Sequence, residues 1–544
     1  MKVLAAQLNP IIGDLEGNTR KVMAALKRAK EKKVDIVLFP ELTLSGYFPG
    51  DLLLDPSFID AIFQKLEEIR PATLGLFAVV GLPRWNPNKK EKPLYNSAAV
   101  FANGKLLGFK DKTLLPTYDV FDERRYFEPG SAQPIWEYLG RRIAITICED
   151  VWQHSKTVSE TNYFSDPILE LKELAPDLLL NLSGSPYYFK RTDVRLSVFQ
   201  AVAKTLYCPV ILCNQVGVND QLVFDGHSLY LNEKGELIQI AKGFEEEDFL
   251  IDLDTHACPH PRASDPIKDL YAALVLGVKD YFHKQGFKKA LLGLSGGIDS
   301  ALVACIAKDA LGSENVLALT MPSRFSSRGS VTHSILLAQN LGIELREVPI
   351  DSMFQGYLDL LEPFFENRPL DFTEENLQSR IRGMILMAFS NKFGALLLNT
   401  GNKSEMAMGY TTLYGDMAGA LGPLHDVTKL HVYKLANYVN RKEEIIPAVI
   451  IQKVPSAELR AHQTDFDSLP PYKVLDPIIE DYIEEGISPE KIALKRNLDV
   501  SFVQGLVHKI HLAEYKRRQA PIGIRVTQKA FSCGRIIPIV QKWR

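Results

Sequence analysis

Three residues in the first half of the 544-residue chain have the types that amide hydrolysis needs. Glu41 follows the apolar run of DIVLFPEL, Lys112 lies in LGFKDKTLLP and Cys148 closes the run of RRIAITICEDVW, so each stands at or just past the end of a strand-like segment. Residues placed in this way converge at one edge of a sheet. Hydrolysing an amide such as a glutamine side chain takes a nucleophile, a base to deprotonate it and a cation to steady the tetrahedral oxyanion. Cys148, Glu41 and Lys112 supply these in that order. The ammonium favours the thiolate, while the carboxylate opposes it until it accepts the proton, so the three form a coupled unit. A lone cysteine here would more often be a buried structural residue.

The second half carries an anion-binding turn. In LLGLSGGIDSALV, residues 291–303, a buried strand breaks into Ser295, Gly296 and Gly297, and a helix starts near Asp299. Glycines let the backbone approach a phosphate, the free amides of the helix start point at it, and the helix dipole favours its charge. Ser295 and Ser300 add hydroxyl donors. No GxxxxGK[ST] occurs and the spacing is not GxGxxG, so this is neither the Walker loop nor the dinucleotide fingerprint. Further on, LLLNTG puts Thr400 at the carboxyl end of a strand, where parallel sheets bind ligands.

The elements that must position these residues alternate between strand and helix. Val3 to Leu8, Asp35 to Phe39, Leu76 to Val80, Ser97 to Phe101, Arg142 to Ile147, Asp177 to Asn181 and Pro209 to Asn214 read as strands. Helices follow Asn18 and Asp166. The Pro-rich DTHACPHPRASDP marks a linker, which divides the chain into domains 1–253 and 266–544 with 254–265 between them. Beyond it, helix Tyr271 to His283, strand ALLGL, helix 299–311, strand VLALTM, helix 329–341 and strand LREVPI spell a parallel α/β domain.

Composition is that of a soluble globular protein, with 46% hydrophobic and 24% charged residues. A formal charge of −3 gives no global attraction to nucleic acid, so any phosphate site must be local. The six cysteines are scattered without a CxxC pair, which fits a reducing compartment. No stretch suits a signal peptide or membrane span, and a cytoplasmic enzyme is expected.

Longer motifs carry a resemblance. PEL, GFKDKTLLPTYDVFDERRYFEPG and CED, in that order, resemble the nitrilase superfamily, whose fold is an αββα sandwich. That resemblance implies Tyr118, Ser185 and Arg191 as glutamine contacts, with Arg191 standing where the family has Lys; a guanidinium can hold a carboxylate by two parallel bonds. It also implies that Glu123 orients the lysine and the substrate.

The SGGIDS turn resembles the loop of the ATP pyrophosphatases, a Rossmann-like, adenine nucleotide alpha hydrolase-like fold that leaves AMP on a substrate oxygen. EENLQSRIRG, LLLNTGNKSEMAMGYTTLYGD, LHDVTKLHVYKLA and KVPSAEL are similar to the NAD synthetase branch. The branch implies ATP at Gly293, Leu294, Ser295, Gly296, Gly297, Ile298, Asp299, Ser300, Thr400, Lys429 and Ser456. It implies deamido-NAD+ at Asn376, Arg380, Glu405 and Lys516, with Mg2+ on Glu405. Magnesium suits a carboxylate that shares it with phosphates. RFSSRGS at 324–330 resembles a loop near the phosphates but departs from the pattern at Arg328 and Gly329, and no residue is assigned there.

Together the halves resemble the glutamine-dependent NAD+ synthetase family, which implies ATP, deamido-NAD+ and glutamine or ammonia as small-molecule partners and pairing of synthetase domains into homo-oligomers. Two rivals remain at this point: a ligase of the same loop family acting on a purine nucleotide or aspartate, and a nucleotide-binding sensor without turnover.

Overall fold

In the strand Lys2–Gln7, Val3 and Ala5 face one core while Leu4 and Ala6 face another, the period-two alternation of a strand buried on both sides. The computed structural model describes residues 1–88, 91–131, 133–157, 161–254 and 265–543. Its chain divides into two compact units, Met1–Pro266 and Ile267–Arg544. Of the expected linker 254–265, residues 255–264, Cys258 among them, lie outside the described residues.

The first unit stacks two six-stranded sheets. One runs Glu247–Asp252, Lys2–Gln7, Ile36–Leu38, Phe77–Trp85, Leu94–Ala102, Lys105–Asp111; the other runs Leu237–Ile240, Leu229–Leu231, Val210–Asn214, Leu178–Ser183, Arg141–Ile147, Ile135–Tyr138. Central strands pair in parallel and edge strands antiparallel. Val3, Ile36, Val79 and Val100 of the first sheet meet Ile145, Leu180 and Ile211 of the second in one core. The outer faces are covered by helices. Leu15–Glu31 buries Val22, Ala25, Leu26 and Ala29, and Pro56–Ile69 buries Ile59, Ile62, Leu66 and Ile69, both at helical spacing. Asp14 and Asp55 cap their N-termini by accepting from Gly17 N and Ser57 N. Pro167–Glu173 and Arg191–Leu206 cover the other sheet. The result is the expected αββα sandwich.

The second unit is built on a four-stranded parallel sheet in the order Glu344–Glu347, Val316–Thr320, Lys289–Gly293, Ala395–Leu397. The chain steps outward from Lys289–Gly293 in one direction and then returns to its other side, which makes a topological switch point between that strand and Ala395–Leu397. Helix Ile298–Leu311 is buried on nearly every face, with Ala301 to Ala307 all inaccessible or nearly so. Phe372–Phe393, capped by Asp371, runs beside the same strands. Among the described residues no helix is long and apolar enough to cross a membrane.

Candidate functional site

The thiol site sits where the two sheets of the first unit end. Glu41 follows Ile36–Leu38 after Phe39 and Pro40. A close backbone approach fixes its turn: a Cβ on Gly81 would lie 2.5 Å from Pro40 O and 2.6 Å from Leu42 N, so only glycine fits beside it. Lys112 comes directly after Lys105–Asp111, and Cys148 directly after Arg141–Ile147. Cys148 has φ +40, a strained value for a side-chain-bearing residue, and starts a short 3-10 turn, Cys148–Val151. Asp150 pins that turn to the lysine loop, accepting from Ile147 N at 3.0 Å and from Thr113 N and Leu114 N at 2.9 Å.

The charges then assemble. Lys112 Nζ lies 2.7 Å from Glu41 Oε1 and 2.7 Å from Glu123 Oε1, with all three side chains buried. Asn96 Nδ2 donates to Glu41 at 2.8 Å, Tyr47 OH donates to Glu123 at 2.8 Å, and Gly184 N donates to the second Glu41 oxygen at 2.9 Å. Burial disfavours the Lys112 ammonium, but the charges of Glu123 and Glu41 outweigh it and hold its pKa well above the lysine value. Burial pushes the Cys148 thiol up, reinforced by Glu41 and opposed by Lys112, so at rest it is protonated. Its route to a thiolate is transfer of the proton to a neighbouring carboxylate.

Of the expected glutamine contacts, Ser185 follows Gly184 in the turn that holds Glu41. The Arg191 guanidinium stacks 3.8 Å from the Trp152 ring, bonds Tyr188 OH at 3.0 Å and keeps a buried Nε without a hydrogen-bond partner among the described residues. Tyr118 OH bonds Glu149 at 3.0 Å, and Tyr163 OH bonds the same carboxylate at 2.9 Å. Glu149, which the motif reading left out, is raised to about 7 by burial. Its only signal was its place next to Cys148.

The second site fills the switch point with a cavity of about 300 Å³. Gly293, Leu294, Ser295, Gly297, Ile298, Asp299, Ser300, Thr400, Glu405, Lys429 and Ser456 all line it. Gly296 shapes the loop instead: its φ is +75, and a Cβ there would meet Ser330 O at 2.5 Å. Ser295 and Ser300 bond each other at 3.1 Å, and Ser295 Oγ accepts from Gly297 N at 3.3 Å. Lys429 Nζ lies 2.5 Å from Asp299 and 3.8 Å from Glu405. Burial works against that ammonium, and Asp299 and Glu405 outweigh it and raise its pKa. Burial and the charge of Asp299 push Glu405 up to about 8.

Asn376, Arg380 and Lys516 form a separate group around residues 409–413. Thr412 Oγ1 donates to Asn376 Oδ1 at 2.8 Å, Arg380 Nε to Leu413 O at 3.2 Å, and Lys516 Nζ to Gly409 O at 2.8 Å and Thr411 O at 2.6 Å. Tyr410 and Thr411 of that segment and the nearby Asp416 line the cavity, and burial raises Asp416 to about 6. Asp416 and Arg382, another lining residue, escaped the motif reading, although both lie inside or beside the quoted motifs.

Comparison with known proteins separates the two units in the same way. Residues 2–258 match the model of the carbon-nitrogen hydrolases and residues 270–520 that of NAD synthase, so the class is a hydrolase of C–N bonds joined to a synthase. The glutamine-dependent NAD(+) synthetase of Synechocystis sp. is 43% identical, with 99% of this chain and 98% of that one aligned. That of Thermotoga maritima is 41% identical over 100% of this chain and 99% of its own. The solved glutamine-dependent NAD+ synthetase of Acinetobacter baumannii, in complex with ADP, superposes with a TM-score of 0.78 at 38% identity over 100% of this chain and 99% of that chain. The chain belongs to the glutamine-dependent NAD(+) synthetase family.

Proposed function

We propose that the chain makes NAD+ from deamido-NAD+, ATP and glutamine, with Cys148 releasing the nitrogen and the switch-point cavity consuming it. The observation that carries the nitrogen-releasing half is the buried Lys112 between Glu41 and Glu123, 2.7 Å from each, beside Cys148. Glu41 takes the thiol proton as sulfur attacks the amide carbon, and the oxyanion faces Lys112. The proton passes to the departing nitrogen and ammonia leaves. Water, deprotonated by Glu41, then attacks the thioester carbon, glutamate forms, and the departing sulfur takes the proton back from Glu41. A free amino acid carries an ammonium and a carboxylate, and Glu149 and Arg191 offer the matching charges, with Arg191 Nε lacking an acceptor among the described residues. Tyr118 and Ser185 complete that set.

In the second unit a nicotinate oxygen attacks the α-phosphorus of ATP, and pyrophosphate leaves. Ammonia then attacks the acyl carbon and AMP leaves. The turn Ser295–Ser300, Thr400, Lys429 and Ser456 would hold the phosphates, and Asn376, Arg380 and Lys516 the dinucleotide. Asp299, Glu405 and Asp465 line the cavity beside Lys429 and offer carboxylate oxygens of the kind that suit a hard cation. Among the described residues no three or more His, Cys, Asp or Glu side chains could hold a metal alone, so Mg2+ would bind Glu405 jointly with phosphate oxygens. When bound, it neutralises charge on the triphosphate. Free thiols at Cys148, Cys208, Cys213 and Cys305 support a reducing, cytoplasmic setting, and pairing through the second unit is the expected assembly.

The test is a pair of variants. Cys148→Ala should abolish glutamine-supported synthesis and leave synthesis from ammonium, whereas Asp299→Ala should stop both. Loss of both in Cys148→Ala would sink the division of labour.

A further inference from the structure

Arg195 and Asp225 form an ion pair that neither reaction uses. Both side chains are fully buried, and the pair is bidentate, with Nη2 2.8 Å from Oδ1 and Nη1 3.1 Å from Oδ2. Burying two charges costs desolvation that well-packed apolar residues would avoid, so stability is a weak reason for such a pair. The remaining reach of the guanidinium supplies a better one. Nη2 also donates to Ser185 O at 3.3 Å and Ser185 Oγ at 3.4 Å. Asn214 grips the same residue, its Oδ1 accepting from Ser185 N at 3.0 Å and its Nδ2 donating to Gly226 O at 2.9 Å.

The turn held in this way is the one that aims the base. Gly184, next to Ser185, donates its N–H to Glu41 Oε2 at 2.9 Å, so a continuous set of bonds runs Asp225, Arg195, Ser185, Gly184, Glu41. Arg195 also lies one turn after Arg191 in the helix Arg191–Leu206, and Thr192 Oγ1 bonds Asp225 at 3.1 Å. One buried carboxylate thereby fixes both the 184–185 turn and the start of the helix that carries Arg191.

We infer that Arg195 and Asp225, with Asn214, are positioning residues for glutamine hydrolysis: they set the 184–185 turn so that Gly184 orients Glu41 and Ser185 faces the substrate. The inference rests on the glutaminase reading of the Cys148 site. Arg195→Lys keeps a charge opposite Asp225 but loses the planar fork that reaches Ser185.

The experiment compares full-length wild type, Arg195→Lys, Asn214→Ala and Cys148→Ala in glutamine- and ammonium-supported synthesis, with thermal midpoints. Positioning predicts that kcat falls and KM for glutamine rises in both Arg195→Lys and Asn214→Ala, together about 100-fold in kcat/KM, while ammonium-supported synthesis is unchanged. A lowered midpoint with wild-type kcat and KM would mean a purely structural pair and overturn the inference, as would no change at all. Should Arg195→Lys fail to fold, Asn214→Ala decides by the same criteria. If Cys148→Ala still uses glutamine, the glutaminase reading falls and this inference with it; if Cys148→Ala is inactive with glutamine and the other two behave as wild type, only the positioning fails.

Discussion

Around Lys112 the protein places two carboxylates at 2.7 Å and buries all three groups, each with further partners. Around Lys429 it places one carboxylate at 2.5 Å, a second at 3.8 Å, and lines the adjoining cavity with a third, Asp465. The first arrangement sets two buried carboxylates with fixed partners around one ammonium and needs only a small amide to act. The second leaves Glu405 3.8 Å from its lysine and raised to about 8, a carboxyl group that a cation brought with a nucleotide would complete. A fixed network suits a reaction repeated on one substrate, and an incomplete one suits a site whose ligands bring their own charge.

The largest effect should come from breaking the fixed network. Lys112→Met leaves Glu41 and Glu123 buried beside each other without their cation and removes the oxyanion partner. Glutamine-supported kcat should fall about 1,000-fold, and ammonium-supported synthesis should persist. Steady-state assays with each nitrogen source check this. An ammonium-supported rate that collapses equally would show that the two sites are not separable in the way the comparison claims.

The incomplete site should show itself through pH. Glu405 is raised from 4.5 to about 8, so the folded protein keeps a proton that the unfolded chain has lost across that window. Stability from this group is therefore present at low pH and is lost as pH rises toward 8. The thermal midpoint of the ligand-free protein should drop by a few degrees between about pH 6 and about pH 8. ATP with magnesium should flatten the slope, and so should Glu405→Gln. Glu149, raised to about 7 in the other unit, titrates in the same range, and only the Glu405→Gln comparison isolates the nucleotide site. An unchanged slope in that variant would show that Glu405 does not hold the proton.

How far the sequence revealed the two sites follows from the same contrast. Glu41 and Cys148 sit just past strands rich in Val, Ile and Leu, so apolar runs were enough to locate them, whereas the strand before Lys112, Lys105–Asp111, begins with three exposed residues and was not among the strands expected. The SGGIDS turn was equally visible, because a helix begins within it, at Ile298. The short strands Ile135–Tyr138, Val216–Asn219, Leu222–Asp225 and Leu237–Ile240 were missed, being four residues each. Helix Arg191–Leu206 was missed for a different reason: it buries Arg191, Thr192 and Arg195 toward the site, which erases the apolar stripe that marks Leu15–Glu31. Polar residues that act through a third dimension, such as Asn96, Glu149 and Asp416, have no period to betray them.

The smallest expected effect sharpens the comparison on the nucleotide side. Asp371 caps Phe372–Phe393 by accepting from Thr373 N at 2.7 Å, while Glu374 reaches back to Asp371 N at 2.8 Å. That helix carries Asn376 and Arg380 in its second and third turns, close enough to the cap to feel fraying. Asp371→Ala should lower stability slightly, read by denaturant unfolding. It should raise KM for deamido-NAD+ modestly and leave kcat and glutamine hydrolysis as they are, because ligand binding can re-form the turn. A loss of kcat instead would mean that the dinucleotide side is held as rigidly as the thiol site.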